Sequence, residues 1–302
     1  MVKRLISANT SEMLAMNGAE LKQSIKASEG RVVLSENVVV HEPLDGITTG
    51  ADLILLNALD VLNPLILGLY NGEETMATAK AHHDGKTIHD LQKLVGRPVG
   101  VNLEPVDPDA KMAEDRLVIP EGRMASEKTL REVEKLGFNF VVLTGNPGTG
   151  VTNKQIAANI KVAKNVFSGL VIAGKMHGAG VDEPVVSPKA VETFLDAGAD
   201  VILVPAVGTV PGFDDAELKE IVKLAHSRNA LVMSTIGTSQ EGSGSSFIQN
   251  IAIRNKVAGV DIQHIGDAAW GIQSPFENIY ALSKAIRGER HAIARMARSI
   301  NR

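Results

Sequence analysis

The chain has 302 residues, 44% of them hydrophobic and 22% charged, with a formal net charge of −4 and no cysteine. That composition excludes extended disorder, a broad basic field for nucleic acid, and any disulfide, thiolate nucleophile or cysteine-held metal. No apolar run approaches the roughly 18 residues that cross a bilayer and the first residues lack a signal-peptide core, so a soluble, cytoplasmic protein with neither nucleic-acid nor membrane partners is expected.

Thr10 and Ser11 offer N-caps for a helix to about Ser28, with Met13, Leu14, Leu21 and Ile25 on one stripe and Gly30 as its stop. The first strand is Arg31 to Leu34, running into Ser35-Glu36-Asn37, and after a loop through Pro43 and Gly46 the second is Asp52 to Asn57. Residues 63–85 read as an insertion. Helix Lys86 to Val95 leads to strand three, Pro98 to Glu104, followed by a second polar excursion over 105–122. Helix Ser126 to Leu136 precedes strand four, Phe138 to Thr144, and helix Asn153 to Val166 precedes strand five, which opens Val171-Ile172-Ala173-Gly174-Lys175-Met176-His177. Helix Ser187 to Ala197, strand six (Val201 to Pro205), helix Asp214 to Ser227, strand seven (Ala230 to Thr235), helix Ser246 to Val257 and strand eight (Val260 to Ile265) follow. Closing helices span Ser274 to Ile286 and about Glu289 to Ile300.

Eight short apolar strands alternating with helices call for a parallel sheet closed into a (β/α)8 TIM barrel, with a doubly wound open sheet as the alternative. One domain is expected: an N-terminal helix (1–30), the barrel (31–273) and C-terminal helices (274–302). An internal echo favours the barrel. Gly50-Ala51-Asp52, Gly137-Phe138-Asn139, Gly198-Ala199-Asp200 and Gly259-Val260-Asp261 each precede an even-numbered strand, the last three 61 residues apart. A two-unit repeat is what a fourfold βαβα ring would show.

In such a barrel the reactive groups stand at the carboxyl ends of the strands. Those exits carry Glu36, Asn57, Asn102, Glu104, Thr144, Asn146, Lys175, His177, Ser234, Thr235, His264 and Asp267. Side chains two apart on a strand share a face, so Lys175 and His177 are expected to point together, and Asn102 and Glu104 likewise. A desolvated lysine gives a neutral amine near neutral pH, histidine titrates there, and Glu104 would be the partner carboxylate. The Gly/Ser loop holding Gly237, Gly242, Ser243, Gly244 and Ser245 ends on a helix N-terminus and, with Gly266, would hold a phosphate or carboxylate, although Glu241 opposes an anion. The loop Gly145 to Gly150 lacks the Gly-Lys-Ser/Thr ending of a nucleotide-hydrolysing phosphate loop. The tail residues Arg287, Arg290, His291, Arg295, Arg298 and Arg302 form a basic face, either solvated or set against an acidic patch of another subunit, and a homo-oligomer is expected.

The Gly-Ala-Asp-apolar strands at 50–56 and 198–204 and Ile172-Ala173-Gly174 resemble the BtpA-type (photosystem I biogenesis) barrel family over the middle two-thirds of the chain. The resemblance implies a fold rather than a reaction, and Lys175-Met176-His177 and Asp267 to Gly271 have no counterpart placed in that family. A phosphoenolpyruvate mutase or isocitrate lyase-like barrel is a further likeness, but the lyases' Lys-Lys-Cys-Gly-His signature is missing. The leading expectation is a lyase, aldolase or isomerase acting on a small phosphorylated or carboxylated anion. Lys175 would form a Schiff base or move a proton without any cofactor, and His177 would serve as acid/base. The alternatives are a metal-dependent mutase-like, lyase-like or hydrolytic barrel with a divalent cation on Glu104, His177 and His264, or a non-catalytic barrel that binds a metabolite or assists assembly.

Overall fold

The computed structural model describes residues 2–41, 50–267 and 274–298, so the expected loop through Pro43 and Gly46, residues Ala268 to Gly271 and Arg302 lie outside the described residues. Eight strands close into one parallel ring: β1 (Val32–Asn37), β2 (Leu53–Leu56), β3 (Val99–Leu103), β4 (Phe140–Leu143), β5 (Leu170–Gly174), β6 (Val201–Pro205), β7 (Leu231–Ile236) and β8 (Ile262–Ile265). The ring is sealed by β8 pairing with β1, in the register Val32 to Ile262 and Ser35 to Ile265. Outside it run α3 (Thr87–Val95), α4 (Glu127–Leu136), α5 (Asn153–Val166), α6 (Pro188–Ala197), α7 (Asp215–Ser227), α8 (Ser245–Ala258) and α9 (Phe276–Met296). Among the described residues no helix is long and apolar enough to cross a membrane.

Strand alternation divides the core in two. Val33, Ile54, Val101, Val141, Val171, Ile202 and Val232 face the helices, whereas Leu34, Leu55, Phe140, Val142, Ile172, Leu203 and Met233 fill the lumen. Phe140 fits there because its neighbour in register, Gly100, has no side chain; a Cβ on Gly100 would stand 2.2 Å from the Phe140 ring. Gly100→Ala is therefore expected to destabilise the barrel by about 1–3 kcal/mol through overpacking, read as a lowered midpoint of chemical unfolding.

The expected single N-terminal helix is two, α1 (Thr10–Leu14) and α2 (Gly18–Lys26). Asn17 stops the first and starts the second, its side chain accepting from Glu20 N while Glu20 reaches back to Asn17 N. Leu5, Met13, Leu21 and Ile25 then plug the amino-terminal end of the lumen. The two expected closing helices form α9, kinked at Gly288, whose φ of 75° interrupts the helical backbone.

The fourfold echo has a mechanical explanation. Asp52, Asn139, Asp200 and Asp261 each form a two-point clamp on the preceding odd-numbered strand. Their backbone N–H groups donate to the carbonyls of Val33, Val99, Val171 and Val232, and their side-chain oxygens accept from the N–H of those same valines at 2.9–3.1 Å. The glycines two residues earlier, at φ between +81° and +102°, turn the chain into the clamp.

One clamp carries a further load. Asp52 is fully buried and accepts from Arg287 Nη1 at 2.5 Å and Arg295 Nε at 2.7 Å, and Arg295 also donates to the carbonyl of Leu5. Burial alone would raise its carboxyl, but the two guanidiniums and the Val33 N–H outweigh it and hold Asp52 below the usual aspartate range. The expected basic face on the tail is thus corrected. Arg287 and Arg295 are buried against Asp52, and Arg298 donates to the carbonyls of Ser7 and Ala8, because the amphipathic α9 turns these residues onto the barrel floor.

Candidate active site at the barrel mouth

At the carboxyl ends of the strands lies a cavity of about 220 Å³, lined by Glu36, Asn57, Asn102, Thr144, Asn146, Met176, His177, Gly237, Ser239, Glu241, Gly266 and Asp267 among others. Period-two alternation brings many of these residues there: Glu36 continues the inward face of Leu34, Asn102 that of Gly100, and Thr144 that of Val142.

Three amides form one wall. Asn57 and Asn146 exchange side-chain hydrogen bonds at 2.9 and 3.0 Å, and Asn102 Nδ2 donates to Asn57 Oδ1 at 3.2 Å. Behind them Glu104 is buried with its oxygens engaged: Oε1 accepts from Arg123 Nη2 at 2.6 Å and Asn146 Nδ2 at 3.0 Å, and Oε2 accepts from Asn146 N at 2.8 Å. Glu104 therefore positions Asn146 and does not line the cavity.

Opposite stands a carboxylate–imidazole pair. Glu36 Oε2 meets His264 Nε2 at 2.9 Å, with the imidazole wholly buried behind the cavity-lining carboxylate. His177 occupies the rim of the mouth. Its Nδ1 accepts from Ala179 N at 3.1 Å, which assigns the ring proton of the neutral form to Nε2. Burial pushes the His177 pKa below 6.5, helped by the Lys175 charge and opposed by Glu36 and Glu104. His177 thus presents a neutral imidazole with a free Nε2–H donor near neutral pH.

Glu241 was legible only as a residue opposing an anion, and it proves to be a wall of the cavity. Its carboxyl is pushed up to about 7, chiefly by burial; the backbone N–H and His264 counter this, and Asp267 and Glu36 add to it. In the unfolded chain the same group ionises near 4.5. Stability is thus lost as pH rises between those two values and stays low above the upper one. Glu241→Gln is expected to recover on the order of 2 kcal/mol at pH 8 and little at pH 4, measured as the difference between unfolding midpoints at the two pH values.

Among the described residues, three buried polar atoms on the cavity lining have no partner: Asn102 Oδ1, Thr144 Oγ1 and Glu241 Oε2. Buried polar groups are nearly always satisfied, so a cluster of unsatisfied ones around a cavity marks a surface shaped to receive a ligand.

Several sequence-based expectations fail here. Lys175 does not share the mouth with His177. Val171 and Ala173 face the helices, so the same alternation turns Lys175 outward, and a bend at Met176–His177 brings the imidazole alone to the cavity. The buried Lys175 ammonium pairs at 2.5 Å with Glu183, which also accepts from Asn153 N at the start of α5. Burial lowers the Lys175 pKa and the Glu183 bond opposes it. The expected Glu104–Lys175 partnership is replaced by Glu104–Arg123 and Lys175–Glu183. Borohydride reduction in the presence of small ketones is expected to leave Lys175 unmodified by peptide mass mapping, because its amine is buried and held by Glu183.

The metal set Glu104, His177 and His264 is not assembled either; among the described residues no group of three or more His, Asp or Glu side chains is arranged to hold a metal ion. Of the expected anion loop only Gly237 and Gly266 line the cavity. Gly242, Ser243, Gly244 and Ser245 lie outside it, since Asn278 Nδ2 ties down the carbonyls of Glu241 and Ser243 and leaves the start of α8 exposed on the rim. Thr235 donates to the carbonyl of Val204, and Ser234 lies on the strand face shared with Val232 and Ile236, toward the helices.

The sequence matches a family model described as a domain of unknown function (DUF7916) over residues 6–302. No curated protein matches it. Among solved structures, an archaeal fructose 1,6-bisphosphate aldolase is similar with a TM-score of 0.51 and 14% identity, covering 86% of this chain and 95% of that one. A 2,3-dimethylmalate lyase of the PEP mutase/isocitrate lyase superfamily gives a TM-score of 0.47 and 12% identity, covering 87% of this chain and 83% of that one. At these identities the likeness is one of fold, the barrel with its C-terminal helix.

Proposed function

The chain belongs to the DUF7916 family, and from the chemistry gathered at its barrel mouth we propose that it is an acid–base lyase or isomerase acting on a small hydroxylated carbonyl compound. The observation that carries this reading is the set of three unpartnered buried polar atoms on the lining of a cavity that also holds the Glu36 carboxyl, a neutral imidazole and a carboxyl protonated up to about pH 7.

The residues divide the work by their environments. Glu36, held from behind by His264, takes the proton from the carbon next to the substrate carbonyl. His177 Nε2–H donates to the oxygen on which negative charge develops. Glu241, protonated up to about pH 7, delivers its proton to a departing β-hydroxyl, so that a C–H and a C–O bond break, a C=C bond forms and water leaves. In an isomerisation the same carboxyl returns a proton to the substrate instead. The Asn57, Asn102 and Asn146 amides, with Thr144, hold the substrate's hydroxyls.

Charge selects the substrate class. Among the described residues Glu36, Glu241 and Asp267 line the cavity and no lysine or arginine does, which favours an uncharged reacting end over a phosphate. The reading needs no lysine adduct, consistent with the engagement of Lys175 by Glu183. Incubating the protein with hydroxy-ketones and hydroxy-aldehydes in D₂O and following the α-proton by NMR tests it. Enzyme-dependent deuterium uptake that survives Lys175→Met but not His177→Gln is expected; uptake that needs Lys175 would refute it.

A further inference from the structure

A cavity of about 540 Å³ lies beside the mouth between the loop that follows β5 and the loop that follows β6. Its walls are apolar: Val185, Val186, Val210, Pro211, Phe213 and Ile221. His177 lines both this cavity and the mouth, so the two meet at the imidazole to which the reading above gives a place in the reaction. Among the described residues the charged ones on its lining are Glu217 and Glu220, with no lysine or arginine.

We infer that this side pocket binds the uncharged hydrocarbon part of the substrate, whose oxygenated end reacts in the mouth across His177. The inference rests on the mouth being the reactive end, and it adds a substrate class: a hydroxy-carbonyl compound with an alkyl or aryl extension. Three observations converge on that occupant. The mouth, at about 220 Å³, is smaller than its neighbour and is polar, so the greater part of a ligand filling both is apolar. The carboxylates of Glu217 and Glu220 repel an anionic tail. The shared His177 wall places the tail next to the residue that meets the reacting atoms, where its burial supplies the orientation that proton transfer needs.

Titration of the protein with butan-1-ol, hexan-1-ol and octan-1-ol, followed by the ¹³C-methyl shifts of Val185, Val186, Val210 and Ile221, tests it. Affinity is expected to rise by about fourfold per methylene until the pocket is filled, as burial of each CH₂ dictates. Val186→Trp, or Pro211→Trp at the exposed rim should the first variant misfold, is expected to abolish the shifts by occupying the space. 6-Hydroxyhexanoate is expected to bind several-fold more weakly than hexan-1-ol. Flat affinity along the series, shifts that persist in the tryptophan variants, or equal binding of the carboxylate would overturn the proposal. The two readings fail separately: graded alkanol binding with turnover independent of Glu36 removes the acid–base mouth and leaves the pocket, whereas Glu36-dependent turnover without graded binding removes the pocket alone.

Discussion

Replacing Asp52 by alanine is expected to destabilise the protein by about 3–5 kcal/mol, the scale for stripping a buried charge of its partner. The substitution leaves the Arg287 and Arg295 guanidiniums buried opposite nothing and takes the acceptor from Val33 N–H. Asp200→Ala provides the control, because Asp200 fills the same clamp position but pairs with Lys22 and Lys164 near the surface. Its loss is expected to cost about 1–2 kcal/mol, the clamp hydrogen bond and little more. Urea unfolding midpoints of the two variants decide the matter; equal losses would mean that the arginines contribute nothing. The pH dependence follows from the depressed pKa of Asp52. Its contribution is full above the ordinary aspartate range and is lost as pH falls through the lower folded value, so the wild type loses stability in acid along a limb that the alanine variant lacks.

Glu36→Gln is expected to lower turnover by about 10²–10⁴-fold with little change in stability, since glutamine keeps an oxygen for His264 and removes only the proton acceptor. Deuterium uptake measured alongside urea unfolding separates chemistry from fold. His264→Asn, which releases the carboxylate without removing it, is expected to lower kcat by a smaller factor and to leave KM near the wild-type value, as suits a positioning residue. Turnover is expected to decline as pH rises through about 7, where Glu241 loses its proton, and Glu241→Gln should abolish that decline along with most of the rate. A Glu36→Gln variant with wild-type turnover would sink the proposed chemistry.

The barrel was legible because its signals are local and repeated. Each Gly-apolar-Asp/Asn junction is a complete device, a left-handed turn followed by a clamp, and the four of them announce a ring before any long-range contact is known. Much of the mouth was legible for a related reason: Glu36, Asn57, Asn102, Thr144, Asn146, His177 and Asp267 stand at or just beyond strand ends, where a two-residue alternation or a short exit fixes them. Lys175 was misread because it shares the outward face of Val171 and Ala173, and only a bend after Gly174, which no local pattern announces, brings His177 back to the mouth without it. Glu241 and Ser239 sit on a loop whose path is set by Asn278, 37 residues beyond Glu241, and nothing near them in the chain signals an inward turn. The arginines of α9 looked like a solvated face because their counter-ion lies 235 residues away from Arg287.

That separation reaches back to biosynthesis. While the polypeptide is still being made, Asp52 must wait in solvent for cations that lie 235 and 243 residues further along, and the floor of the ring can be laid only once residues up to Arg295 have emerged. A nascent chain halted before α9 therefore holds every strand of the ring and still lacks the bolt that joins the start of β2 to α9, which makes the arrival of α9, rather than strand synthesis, the moment of closure.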